Sequence, residues 1–301
     1  MDQKDEAREW FMEGCRYDLL EPQSDKAIEA FKKSIILNPR FADAYVNLGF
    51  IYLQREDYDW ALICLERVTK LEPNNPEAYN NLGYVYERMG RLGRARQMYE
   101  RALILSPDNI EAMFNIGHIF ELEGDYHSAV KQYKKAIEAD PDAVAPRFLL
   151  ALLYDRYDMF DEAILEYQGV LERDPSHVKA LFNLGTLYVQ LGNYNKSIGL
   201  FKNVLAIDAK KPEAWNNLGS IFEITGQPEE AIKAYEKSLE LNPYQEEANI
   251  NLAKIQYEIY RLKPDVGKKD ELIRRFHLVL SINPHNTGAQ HILHELTKQE
   301  S

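Results

Sequence analysis

The strongest constraint on this chain is a period. Pro76-Glu-Ala-Tyr-Asn-Asn-Leu-Gly83 returns almost letter for letter as Pro212-Glu-Ala-Trp-Asn-Asn-Leu-Gly219, 136 residues later, which is four times 34. Partial copies lie between them, Ala112-Met-Phe-Asn-Ile-Gly117 and Ala180-Leu-Phe-Asn-Leu-Gly185. Prolines keep the same spacing at Pro39, Pro73, Pro107, Pro141, Pro175 and Pro243, and Ala209 fills the one missing place. Self-similarity at such a period points to stacked supersecondary units rather than one or two globular cores. The repeats read as 7–41, 42–75, 76–109, 110–143, 144–177, 178–211, 212–245 and 246–286, followed by 287–301 as a capping helix.

Each repeat reads as two helices. In the third, Tyr79, Leu82, Gly83 and Tyr86 follow helical i, i+3, i+4, i+7 spacing, and Gly90 breaks the run. A second stripe passes through Ala95, Tyr99, Ala102 and Leu103 and stops at Pro107, which has no N–H to continue the ladder. No strand-like alternation is present, so the chain reads as all-α. Small residues recur at Gly14, Gly49, Gly83, Gly117, Ala151, Gly185, Gly219 and Ala253, and again at Ala27, Ala61, Ala95, Ala129, Ala163, Ser197 and Ala231. Large ones sit opposite: Phe31, Leu65, Tyr99, Tyr133, Tyr167, Phe201, Tyr235 and Phe276. Large against small lets helices interdigitate without voids.

The pattern Trp215, Leu218, Gly219, Phe222, Gly226, Ala231, Tyr235 and Pro243 resembles the tetratricopeptide repeat family, and the resemblance runs through essentially the whole chain. It implies a right-handed superhelical solenoid of helix-turn-helix repeats whose first helices line a concave groove for peptides or partner proteins. The ends depart from the pattern as terminal repeats do: Glu13 and Gln256 stand where interior repeats are apolar. The stripe Ala289, Ile292, Leu293 and Leu296 suits a helix covering the last repeat, with Glu295, Lys298 and Gln299 outward. The N-terminus has no such cover, and Trp10, Phe11 and Met12 raise the option of a homodimer through that end.

The resemblance places the sixth residue of each repeat in the groove. Six of the eight are asparagine: Asn47, Asn81, Asn115, Asn183, Asn217 and Asn251, interrupted by Met12 and Leu149. A carboxamide offers an acceptor and two donors, matching a peptide unit, so a column of them can hold an extended backbone. The alternative is that they are kept for their fit between helices. One place earlier, Phe114, Phe148 and Phe182 suggest apolar subsites. Three places after the column come Tyr84 and His118. Acidic residues flank these, Asp43, Glu77, Glu111, Glu213 and Glu247 on one side and Glu87, Glu121, Asp155 and Glu223 on the other. The combination favours an extended protein or peptide partner with apolar and basic side chains.

Composition trims the alternatives. The chain has 301 residues and a net charge of −12, which disfavours nucleic acid and anionic membranes. No apolar run suits a transmembrane helix, and Met1–Glu9 is charged rather than a signal peptide. Two cysteines, Cys15 and Cys64, build neither a disulfide framework nor a four-cysteine zinc site and suit a reducing, cytoplasmic setting. His285, His291 and His294 lack partners for a metal set, and no cofactor or metal is expected. The arginines around Arg94 and the basic insertion near Leu262–Lys269 read as local exceptions. No nucleophile elbow, phosphate loop or zinc-protease motif occurs, so no catalytic residue is assigned. The expectation is a non-catalytic protein-interaction scaffold. A recognition or regulatory subunit of a separate enzyme such as a glycosyltransferase, and a self-assembling structural scaffold, are the alternatives.

Overall fold

A computed structural model describes residues 2–298. They form seventeen helices and, among the described residues, no strand. In order these are α1 (Gln3–Leu20), α2 (Asp25–Leu37), α3 (Ala42–Gln54), α4 (Tyr58–Leu71), α5 (Pro76–Arg88), α6 (Leu92–Leu105), α7 (Ile110–Leu122), α8 (Tyr126–Ala139), α9 (Val144–Arg156), α10 (Phe160–Arg173), α11 (Val178–Gln190), α12 (Tyr194–Ile207), α13 (Pro212–Ile224), α14 (Pro228–Leu241), α15 (Glu246–Leu262), α16 (Val266–Ile282) and α17 (Thr287–Lys298). The protein divides into two compact units within α9, between Leu153 and Tyr154. In the first, α1/α2, α3/α4, α5/α6 and α7/α8 pack as hairpins, and each hairpin stacks on the next. In the second, α11/α12, α13/α14 and α15/α16 do the same, and α17 packs on α16.

The turn inside a hairpin needs one left-handed residue. Gly90, Gly124, Gly192 and Gly226 supply it with φ of 71° to 79°, at no Cβ penalty. Gln23, Glu56 and Asp158 hold the same place with side chains, at φ of 64°, 62° and 57°. Helix starts are capped where the sequence offers an acceptor. Asn75 Oδ1 accepts from the Glu77 amide at 2.9 Å and Asn109 Oδ1 from the Ala112 amide at 2.9 Å.

The hairpin core is the predicted large-on-small contact. A Cβ added at Gly83 would meet the Tyr99 ring at 2.6 Å, and one added at Gly219 would meet the Tyr235 ring at 2.5 Å. Only glycine lets these rings lie flat on the opposite helix. Buried serines tie the second, or B, helix of a hairpin to its first, or A, helix: Ser34 Oγ donates to the Ala7 carbonyl at 2.7 Å and Ser197 Oγ to the Gly185 carbonyl at 2.7 Å. A further device recurs at the fourth residue of several repeats, whose side chain donates to a carbonyl six residues back. Tyr79 reaches Pro73, Trp215 reaches Ala209 and Asn249 reaches Pro243, at 3.2, 3.3 and 2.9 Å. It satisfies a carbonyl that the preceding helix end leaves open.

At the C-terminal end the extra residues lengthen both helices of the pair rather than forming a long loop. α15 and α16 have 17 residues each against 13 or 14 in the other hairpins of their unit. α17 buries Ala289 and Leu296 in a cluster with Tyr257, Leu272, Phe276 and Val279. The Tyr257 hydroxyl donates to Glu295 Oε2 at 2.6 Å, which holds that carboxyl below its usual range. Glu295 and Lys298 lie exposed as expected, and Gln299 falls outside the described residues.

Candidate peptide-binding surface

The A helices α3, α5 and α7 of the first unit, and α11, α13 and α15 of the second, each present one asparagine of the column. All six are half-buried. Their carboxamides are not equivalent. Asn47 Nδ2 donates to Cys15 Sγ at 3.5 Å, and Asn115 Nδ2 donates to Asn80 Oδ1 at 3.0 Å. Asn183 hydrogen-bonds the Tyr167 hydroxyl, and Asn251 the Tyr235 hydroxyl. Each of these four reaches back to the preceding hairpin. Asn81 and Asn217 have no such partner among the described residues.

The aromatic positions sort in the same way. Phe114 is tilted on Tyr133 with ring centroids 6.3 Å apart, and Phe182 sits edge-on to Phe201 at 5.4 Å. Lys211 lies over the Phe182 ring at 5.5 Å. Phe148 is half-buried like both. Tyr84 is 37% exposed, with its hydroxyl 3.5 Å from the Arg88 guanidinium. His118 Nε2 lies 3.7 Å from Glu87 Oε1, while its Nδ1 is buried without a partner.

The two acidic series behave differently. Asp43, Glu77, Glu111, Glu213 and Glu247, in the first turns of A helices, are exposed. Their charge also suits the positive helix ends. The other four carboxylates accept from tyrosine hydroxyls of their own hairpins: Tyr99 to Glu87 at 2.8 Å, Tyr133 to Glu121 at 3.1 Å, Tyr167 to Asp155 at 3.3 Å and Tyr235 to Glu223 at 2.8 Å. Burial, followed by the neighbouring carboxylate, pushes the Tyr99, Tyr167 and Tyr235 hydroxyls far above the usual tyrosine range. Burial also raises the Asp155 carboxyl, against the lowering bond from Tyr167. The signal for this pairing was in the sequence. Where the B-helix residue is Tyr, an acid stands twelve places earlier; before Leu65 and Phe201 stand Leu53 and Val189.

Comparison with known proteins decides the family. Five models, each described as tetratricopeptide repeat, match residues 30–63, 48–112, 110–143, 156–221 and 212–245. The chain belongs to the tetratricopeptide repeat family. The repeat fold is shared with solved tetratricopeptide structures. The C-terminal part of a repeat-containing protein from Cytophaga hutchinsonii is 18% identical over 81% of this chain and 98% of its own, with a TM-score of 0.66. PilF of Pseudomonas aeruginosa is 17% identical over 72% and 97%, at 0.60, and MamA 23% identical over 54% and 95%, at 0.51. No curated protein matches the chain. Identities this low establish the fold, and what this tetratricopeptide protein binds has to be argued from its own side chains.

Elsewhere several of the basic side chains are occupied. Arg96 bridges to Glu123 at 2.9 Å and Arg101 lies over the Tyr79 ring at 5.7 Å. In the C-terminal insertion Arg261 pairs with Glu258 and Arg275 with Glu271. Among the described residues no three His, Cys, Asp or Glu converge as a metal set, and no helix is long and apolar enough to cross a membrane. At the N-terminal end the Phe11 ring packs between Phe31 and Phe41, at 5.8 and 4.9 Å, and Lys33 lies 4.1 Å over Trp10. Met12 remains exposed there. Both thiols are free, and burial pushes Cys64 up to about 11.

Proposed function

We propose that this tetratricopeptide protein is a non-catalytic interaction scaffold whose A helices hold extended partner segments within each unit, with Asn81 as the gripping carboxamide of the first and Asn217 of the second. The observation that carries the reading is the split within the column: four amides are spent on neighbouring hairpins, and these two are half-exposed with their donors and acceptors unused. A peptide N–H and C=O can be met by one such amide in each unit. The exposed first-turn acids, with Tyr84 one turn after Asn81, His118 against Glu87, and the half-buried Phe114, Phe148 and Phe182, favour a partner with basic and apolar side chains. Asn47, Asn115, Asn183 and Asn251 set the spacing of the A helices rather than bind directly. The two unpaired thiols fit a reducing, cytoplasmic setting.

The test is a peptide array of extended 12-residue sequences. Peptides retained by the wild-type chain should lose about tenfold or more in affinity to Asn81→Ala/Asn217→Ala, a loss of two charge-free hydrogen-bonding partners. They should lose binding again when their own backbone is N-methylated. Retention unchanged by both manipulations removes the amide grip.

A further inference from the structure

A second feature of the first unit lies away from the asparagine positions. The turn between α3 and α4 and the end of α5 enclose a cleft of about 370 Å³, lined by Glu56, Asp57, Tyr58, Asp59, Trp60 and Met89. Trp60 is the unusual member. It stands at the solvent-facing start of a B helix, where the other seven hairpins carry Lys26, Arg94, Ser128, Glu162, Lys196, Glu230 and Glu271. Its indole stacks on Tyr52, with centroids 6.0 Å apart and planes at 27°, yet Trp60 stays 56% exposed. An indole left open beside a cleft is a surface with unspent binding capacity.

The charge around it is equally unspent. Asp57 occupies the helix-cap place of α4 but its side chain makes no cap bond, whereas Asp125 in the matching place of α8 accepts from the Ser128 amide at 3.1 Å. Asp59, two residues on, has no side-chain partner among the described residues either. Among the described residues Lys32 Nζ lies 5.7 Å over the Tyr52 ring on which Trp60 stacks, and Arg88 stands at the end of α5. Its guanidinium lies 3.8 Å from Glu56 and hydrogen-bonds the Tyr84 and Tyr58 hydroxyls. That arrangement displays the chemistry the cleft accepts, a guanidinium between a carboxylate and tyrosine hydroxyls, and it leaves Asp57 and Asp59 beside an open indole face.

We propose that this cleft is a docking site for a cationic side chain, arginine or lysine, of a partner protein. The charge seats on the Trp60 face, where the ring quadrupole attracts it, and Asp57 and Asp59 neutralise it. The side chain's methylene stem runs over Tyr58 and Met89, whose thioether adapts to its shape. The site is made of turn residues and two helix ends. It therefore works whether or not the amide grip is correct.

The probe is the capped tripeptide acetyl-Gly-Arg-Gly-amide, titrated into the full chain and followed by the three indole N–H signals in a nitrogen-correlated spectrum, with Trp60→Phe assigning one of them. The Trp60 signal should shift saturably, with a dissociation constant of about 10–100 mM for one exposed cation contact assisted by two exposed carboxylates. The citrulline analogue, which is isosteric but neutral, should leave it unmoved. Asp57→Asn/Asp59→Asn, which keeps the side-chain size, should weaken the arginine titration about fivefold, and Asn81→Ala/Asn217→Ala should not change it. A Trp60 signal that ignores arginine, answers citrulline equally, or titrates normally in the double Asp→Asn variant overturns the proposal. A response confined to Trp215 assigns the probe to the asparagine column and also overturns it.

Discussion

Pro76–Gly83 and Pro212–Gly219 differ at one residue, Tyr79 against Trp215, and both form the first two turns of an A helix. Their asparagines nonetheless end up in different hands. In the first unit Asn80 Oδ1 receives Asn115 from the next hairpin. In the second, the matching Asn251 turns to the Tyr235 hydroxyl, and Asn216, 9% exposed, keeps a buried Oδ1 with no partner. The octapeptide fixes the helix and the glycine contact. The pairing of its polar side chains is set by what the following repeat brings, a long-range effect that a local motif cannot carry.

Alkali gives the largest effect and acts on both hairpins alike. Tyrosine ionises near 10 in an unfolded chain, whereas the buried Tyr99, Tyr167 and Tyr235 hydroxyls hold their protons to higher pH. The folded state then binds more protons above pH 10, so stability is full below that value and falls as pH rises through it. The slope is about 1.4 kcal/mol per pH unit for each such tyrosine. Urea midpoints taken from pH 8 to 11 should drop accordingly, and Tyr99→Phe or Tyr235→Phe should each flatten the fall.

Gly83→Ala and Gly219→Ala come next, because the new methyl meets a ring at 2.6 and 2.5 Å. Each should cost about 1–3 kcal/mol by thermal or urea unfolding. Equal losses uphold the identity of the two hairpin cores, and a difference beyond about 1 kcal/mol breaks it. Tyr99→Phe should then cost more at neutral pH than Tyr235→Phe. The first takes the hydroxyl from Glu87, whose side chain is 11% exposed and keeps only the longer approach of His118 Nε2 at 3.7 Å, and the second leaves Glu223 in water. The expected values are about 2 and about 1 kcal/mol.

The asparagines separate the regions most finely. Asn115→Ala orphans the buried Asn80 acceptor and should cost about 1–2 kcal/mol. Asn251→Ala should cost less, because Asn216 is already unpaired and Tyr235 keeps its bond to Glu223. A larger loss at Asn251 would reverse the comparison. Asn81→Ala and Asn217→Ala, which break no internal bond, should stay within about 0.5 kcal/mol.

These contrasts also mark how far the sequence could be read. The helix pairs and the small residue opposite each large side chain were legible, because a 34-residue period imposes the same steric solution on every repeat. Gly83 against Tyr99 is a contact that two columns of letters already imply. The acidic residues were half legible: Glu77 and Glu111 are exposed as expected, while Glu87 and Glu121 serve tyrosines rather than open solvent. Which carboxamides are free was not legible. Asn81 and Asn115 occupy the same place in their repeats, and only the reach between hairpins distinguishes them. Trp60 stood outside the periodic argument altogether, since periodicity reports what repeats share, and this side chain is what one repeat does alone.

Cys64 gives the first unit an intrinsic clock. It is 5% exposed in α4, and its thiol is pushed up to about 11 by burial. A water-soluble disulfide reagent at neutral pH meets almost no thiolate there until the hairpin opens. The rate of its modification therefore counts openings of α3 and α4. Partner binding on these helices would slow that count.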